Sequence, residues 1–223
     1  MANIMDIFFA PTKVFTSLKE KPRWIVPFVI VLVVVALSAA LTVSVSKETI
    51  ITKQEEAMRE RGMSEEQIEQ ALKMSSGPIL LISSTIGGAV YTGILLLIFT
   101  LVLNLFIPLF GGIGAFKTVF SVACFSALVK VPAAILKVIL IMITKSLYVT
   151  TSLALFVPNL AKDTFVYKLL AGFDFFIIWE MILVSIGISI TNGIKRDRAY
   201  IIVFIIWIVS IFIGIVLGGI GPR

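Results

Sequence analysis

The sequence predicts an all-α integral membrane protein: five transmembrane helices, a short N-terminal interfacial helix and an extracytoplasmic helical hairpin. Three observations lead there. Of 223 residues, 59% are apolar and only 14% charged, whereas a soluble domain is about 45–50% apolar and about 25% charged. The mean hydropathy of +1.08 leaves too much apolar surface for a solvated, disordered chain. The apolar residues also fall in long runs. With ~20 residues per crossing, the length allows about five spans and no sizeable soluble domain. A net charge of +6 would point to nucleic acid on a soluble domain. Here the basic residues mostly flank apolar runs, as in an oriented membrane protein, and no nucleic-acid partner is expected.

Residues 1–23 read as cytoplasmic and interfacial. Pro11 suits the first turn of a short helix that places Val14, Phe15 and Leu18 on one side. With Ile7, Phe8 and Phe9 upstream, residues 4–20 are expected to lie in the headgroup layer. Lys13, Lys19, Lys21 and Arg23 precede an apolar run over 24–45, which is too long for the apolar core of a cleavable signal. That run is span one, ~33 Å long at 1.5 Å per residue. Trp24 takes the place of an interfacial aromatic.

Residues 46–78 are the hydrophilic stretch, with Lys47, Lys53, Arg59, Arg61 and Lys73 against seven glutamates. Ser64 with Gln67 three residues on makes a capping box, Ile68 and Leu72 then share a face, and Gly62 suits the end of a preceding helix. The segment is expected to be a helical hairpin outside the membrane. Span two covers 79–106 and carries small residues four apart, Ser83–Gly87, Ser84–Gly88 and Ala89–Gly93, a spacing that lets helices approach closely in lipid. Pro108 and Gly111-Gly112-Ile113-Gly114 make the next turn. Span three covers 118–144 with a bend at Pro132. Residues 145–167 read as interfacial or partly re-entrant. Span four covers 168–191 and span five 200–219, where Ser210, Gly214 and Gly218 recur every fourth residue. Gly87, Gly88, Gly93, Gly214 and Gly218 are therefore the expected helix-packing positions. No repeat relates the two halves of the chain, unlike many secondary transporters. The Lys13–Arg23 cluster and Lys195-Arg196-Asp197-Arg198 fall on one side of a five-span topology. The positive-inside rule places them in the cytoplasm, with the hairpin and the C-terminus outside the cell membrane.

Residue types that are missing exclude much chemistry. The chain has no histidine, so HExxH zinc sites, Ser-His-Asp triads, Cys-His dyads and Glu-Glu-His intramembrane proteases are all out of reach. One cysteine, Cys124, inside an apolar run, offers neither a disulfide nor a metal cluster and reads as a small buried hydrophobe. No phosphate-binding glycine loop occurs. The chain is not expected to be an enzyme or to need a metal or cofactor.

Four charges stand where lipid should be: Lys130 and Lys137 in span three, Asp174 and Glu180 in span four. Each costs at least ~2.5–3.5 kcal/mol to insert, which makes them a candidate intramembrane polar site. At 1.5 Å per residue from the outer span ends, Lys137 and Asp174 lie about 10 and about 9 Å deep, and Lys130 and Glu180 about 21 and about 18 Å deep. Depth therefore matches Lys137 with Asp174 and Lys130 with Glu180. The lysines, seven apart, share a helix face, whereas the acids point about 120° apart, so one pair fits and both together need bent helices. Such charges serve a polar pathway or substrate site inside the bundle, or an acid–lysine pair holds two spans in register, or Lys137 and Asp174 snorkel to the outer interface.

The run Phe9-Ala10-Pro11-Thr12-Lys13-Val14-Phe15 with Leu18-Lys19-Glu20-Lys21-Pro22-Arg23-Trp24-Ile25-Val26-Pro27 resembles the opening of the Yip membrane family, in its prokaryotic branch. Gly172-Phe173-Asp174-Phe175-Phe176-Ile177-Ile178-Trp179, followed by Gly187 and the basic turn Lys195–Arg198, is similar to that family's fourth span. Thr150-Thr151-Ser152-Leu153 and Met63-Ser64-Glu65-Glu66 are similar to bacterial members. Pro11, Pro22, Trp24, Pro27, Asp174 and Trp179 are the motif positions. The resemblance implies a five-span bundle with a cytoplasmic N-terminus and a non-enzymatic role. Eukaryotic members are linked to vesicle traffic and Rab-type small GTPases through a long N-terminal region. With about 23 residues before span one here, GTPase binding is not carried over.

Two functions follow as expectations. The first is a non-catalytic accessory or organising subunit for membrane partners such as an export system, or for further copies of itself. The alternative is a small channel or transporter using Lys130, Lys137, Asp174 and Glu180. An acid–base enzyme built on Asp174 and Glu180 lacks an accompanying nucleophile or metal set.

Overall fold

The computed structural model describes residues 4–75, 77–144 and 149–220. Two short helices, α1 (Asp6–Phe9) and α2 (Pro11–Glu20), precede the bundle. Then come α3 (Ile25–Glu60), α4 (Glu65–Ser75), α5 (Pro78–Phe106), α6 (Phe116–Ser126), α7 (Lys130–Thr144), α8 (Phe165–Gly172), α9 (Phe175–Asn192) and α10 (Arg196–Ile220). Among the described residues, five helical stretches are long and apolar enough to cross a membrane: Ile25–Glu60, Pro78–Phe110, Phe116–Thr144, Phe175–Asn192 and Arg196–Val216. The protein is an all-α membrane protein.

Pro11 occupies the first helical position of α2, where its missing N–H costs nothing. One face of the segment, Ile7, Val14, Phe15 and Leu18, is buried to 1% exposure or less inside the protein core. The reason is a groove on α9. Gly187 has no side chain there, and a Cβ at that position would run into Val122 and the Phe15 ring. Pro27 is buried in the first turn of α3. Trp24, at the N-cap of α3, packs its ring 5.3 Å from Phe120 and 5.9 Å from Phe28, and Pro22 lies in the connection between α2 and α3.

Helix α3 runs past its apolar part into the hydrophilic stretch, with a kink at Ser46 (φ −125°, ψ 22°). It stops at Gly62, whose φ of +74° is a left-handed conformation that glycine adopts without a Cβ clash. The capping box then forms in both directions: the Gln67 N–H donates to Ser64 Oγ at 3.4 Å, and the Ser64 N–H donates to Gln67 Oε1 at 3.0 Å. Arg59 holds the turn together with bonds of 3.0 Å to Glu55 and to Glu65.

The third spanning stretch tightens into a 3-10 turn over Ala127–Val129 between α6 and α7. Pro132 explains it: the ring lacks an N–H and crowds the carbonyl four residues earlier, that of Leu128. Helices α6 and α9 stand at the centre of the core. Val119 to Val129 are all buried, Cys124 among them, as are Met181, Leu183, Val184 and Ile188. The expected span over 168–191 is two helices, α8 and α9, parted at Phe173 and Asp174. Of the expected 145–167 segment, residues 145–148 lie outside the described residues. The remainder contains a 3-10 turn, Leu153–Phe156, and is stitched to the α8–α9 break. The Leu153 N–H donates to the Phe173 carbonyl at 3.1 Å, and the Phe175 N–H to the Thr151 carbonyl at 3.3 Å.

Candidate functional site

A cleft of about 600 Å³ opens among α3, α7, residues 149–151 and the start of α9. Helical periodicity builds two of its walls. On α7, Lys130, Ala133, Ala134 and Lys137 follow the i, i+3, i+4, i+7 spacing of one face, and so do Val35, Ser38, Ala39 and Thr42 on α3. The small alanines and serine leave the space, and the lysines stand at the two ends of the α7 stripe. Ser84 of α5, Thr150, Thr151, Asp174, Phe176, Ile177 and Glu180 complete the lining.

All four charges expected inside the membrane line this cleft, in different roles. Lys130 Nζ donates to Glu180 Oε2, joining α7 to α9. The Glu180 side chain is 7% exposed and that of Lys130 34%, so the carboxylate sits on the protein side of the pair and the ammonium on the cleft side. The expected match of Lys137 with Asp174 does not form. Asp174 is the N-cap of α9: its Oδ1 accepts the Phe176 N–H at 2.8 Å and the Ile177 N–H at 3.4 Å, and its Oδ2 accepts the Thr151 hydroxyl. The carboxylate satisfies N–H groups that a helix start otherwise leaves without partners, which is costly in lipid. Asp174 therefore stands at a helix end rather than partway along a continuous span. Lys137 is exposed to the cleft and forms no ion pair among the described residues.

The other expected positions separate into inward and outward ones. A Cβ on Gly88 would touch Val35 and Ala39 at 3.8 and 3.9 Å, and one on Gly93 would touch Phe28 and Leu32 at 3.4 and 3.7 Å, so both face α3. Nothing lies within 4 Å of a Cβ built on Gly87 or Gly214, so neither meets another part of the described chain. Gly87 is turned about 100° from Gly88 around α5, which carries it off the α3 contact. The surroundings of Gly218 lie outside the described residues. Trp179 packs edge-on against Phe8 at 5.8 Å, holding α1 on α9. Close approaches that sequence spacing did not single out include Gly187 against Val122 and Phe15, Gly112, where a Cβ would come within 2.5 Å of Ile194, and Gly172, where it would come within 2.8 Å of Ile211.

Bundle and cleft define a class: a multi-pass, all-helical membrane protein with a charged recess between its spans. Residues 5–218 match the Yip1 domain, and the chain belongs to that family, as its motifs implied. It is similar to Membrane protein YknW of Bacillus subtilis (strain 168), with 25% identity over 221 residues that cover 96% of this chain and 90% of that protein. No solved structure matches.

Proposed function

We propose that this Yip-family chain is a non-catalytic membrane protein that organises or assists partners in the cell membrane, as an accessory subunit beside an export system does. The observation that carries the reading is the direction of two small-residue faces. Ser83 and Gly87 on α5, and Ser210 and Gly214 on α10, are exposed, and a Cβ at either glycine would meet nothing within 4 Å. Lipid tails give helices no hydrophobic reason to associate, so close backbone approach at such faces is a main source of affinity. A non-catalytic role is supported by how the carboxylates are used: Asp174 is engaged by backbone and Thr151, Glu180 by Lys130. The orientation proposed is N-terminus cytoplasmic and C-terminus outside, from Lys13, Lys19, Lys21, Arg23 and the Lys195–Arg198 turn.

Crosslinking in native membranes tests the proposal. Cys124 is the sole cysteine and is buried, so a thiol introduced as Ser210→Cys reports alone. A discrete adduct from this position, absent from the exposed control Ile139→Cys on α7, supports a docked partner. An adduct of twice the chain mass identifies a second copy. No adduct, or the same adducts from both positions, contradicts the reading. The cleft favours a second reading, a small channel or transporter. It requires that Glu180→Gln abolish flux through reconstituted protein while the fold survives.

A further inference from the structure

The two lysines and two carboxylates of the cleft balance formally but are not paired off one to one. Glu180 is matched by Lys130, whereas the Asp174 oxygens are engaged by two N–H groups and the Thr151 hydroxyl and by no lysine among the described residues. Lys137 is left as a cation about 10 Å, seven residues, short of the end of α7 at Thr144. The Ser38 and Ser84 hydroxyls also line the cleft and make no hydrogen bond among the described residues. A lone ammonium at membrane depth is costly and marks a binding site by default, and its three N–H donors call for an anionic acceptor.

A second observation gives that anion its chemistry. Beside the polar cleft runs an apolar groove formed by Leu136, Leu140, Leu155 and Phe175. The two share Val149, Thr150, Thr151 and Phe176 as a common wall. Leu155 and Phe175 are 60% and 62% exposed, and Ile135, Ile139 and Ile143 are exposed along α7, so the groove opens sideways to where lipid tails lie. A cation recess of about 600 Å³ is within the range of small-ligand sites, roughly 300–1,000 Å³. With an adjoining apolar channel, it is shaped for a molecule with an anionic end and a chain.

We infer that the α3–α7–α9 cleft binds an anionic membrane lipid, with its phosphate on Lys137 near the Ser38 and Ser84 hydroxyls and an acyl chain along Leu136, Leu140 and Phe175. This goes beyond the partner-organising role and does not depend on it.

Native mass spectrometry of the detergent-purified chain tests the inference, with phosphatidylglycerol and phosphatidylcholine of matched chains, and with glycerol phosphate as the chainless anion. Wild type should retain phosphatidylglycerol about tenfold better than phosphatidylcholine, a difference of about 1.4 kcal/mol. Lys137→Gln should erase that preference and Lys137→Arg should keep it. Lys137 is exposed and forms no ion pair among the described residues, so Lys137→Gln should unfold at the wild-type temperature. Ala134→Trp, which fills the recess, should release the lipid with Lys137 still present. This separates the cleft from the basic surface of Lys13, Lys21 and Arg23. An unchanged lipid preference in Lys137→Gln overturns the assignment. So does glycerol phosphate displacing the lipid at equal concentration, which would make the site one for a free anion.

Discussion

Removing one partner of the Lys130–Glu180 pair should damage the fold unequally, depending on which partner goes. Lys130→Met leaves a carboxylate whose side chain is 7% exposed without its partner, and stranding a buried charge costs about 3–5 kcal/mol. Glu180→Gln leaves an ammonium that is 34% exposed and reaches the cleft, where its flexible stem can find water. We expect about 1–2 kcal/mol for that variant, below the buried-charge figure. The double variant Lys130→Met/Glu180→Gln strands no charge and should lose less than the sum of the two single losses, by about 1.5–3 kcal/mol, the coupling expected of groups in direct contact. Ordinary interhelical hydrogen bonds in membranes couple by only about 0.6 kcal/mol, so the ion pair is distinguishable from a polar contact. Reversible unfolding in mixed micelles, followed by tryptophan fluorescence, measures all four corners of the cycle. Additive losses, or a larger loss from Glu180→Gln than from Lys130→Met, would refute the argument from burial.

Four more outcomes follow from the same geometry. Lys137→Met and Asp174→Asn should be additive within about 0.5 kcal/mol in that assay, because the two side chains do not pair. Asp174→Ala should cost about 1–2 kcal/mol through loss of the α9 cap, with Asp174→Asn much milder because its carbonyl oxygen still accepts. Gly187→Val should destabilise by about 1–3 kcal/mol as its side chain meets Val122 and Phe15, whereas Gly87→Ala should be neutral or stabilise by up to about 1 kcal/mol. Phe15→Ala should cost about 3–5 kcal/mol, since that ring is fully buried; an amphipathic helix resting only on headgroups would lose little fold stability at this position.

How much of this was legible in the sequence depends on the reach of each signal. Long apolar runs, the Ser64–Gln67 box and Gly62 are local, and local reading found them. The lysine stripe on α7 is also local, and depth matching placed Lys130 opposite Glu180 because both sit far from the span ends. Asp174 was harder. Read as part of an apolar run, it looks like a charge in lipid, yet Gly172-Phe173-Asp174 carries the signs of one helix ending and another being capped. That signal was present and was outweighed by the unbroken hydropathy. The direction of a glycine is not local at all. Gly87 and Gly88 have the same neighbours in sequence, and only the position of α3 makes one inward and the other outward. The burial of Val14, Phe15 and Leu18 depended in the same way on Gly187, more than 160 residues further along the chain.

The central claim is that the outward faces of α5 and α10 hold another membrane protein, and gentle purification of wild type beside Gly214→Leu from native membranes tests it most directly. The account predicts that one membrane protein, or a second copy of this chain, co-elutes in fixed ratio with wild type and is lost from Gly214→Leu, while the variant stays folded. Wild type emerging alone, or a companion retained equally by Gly214→Leu and a Gly87→Leu/Gly214→Leu double variant, would contradict it.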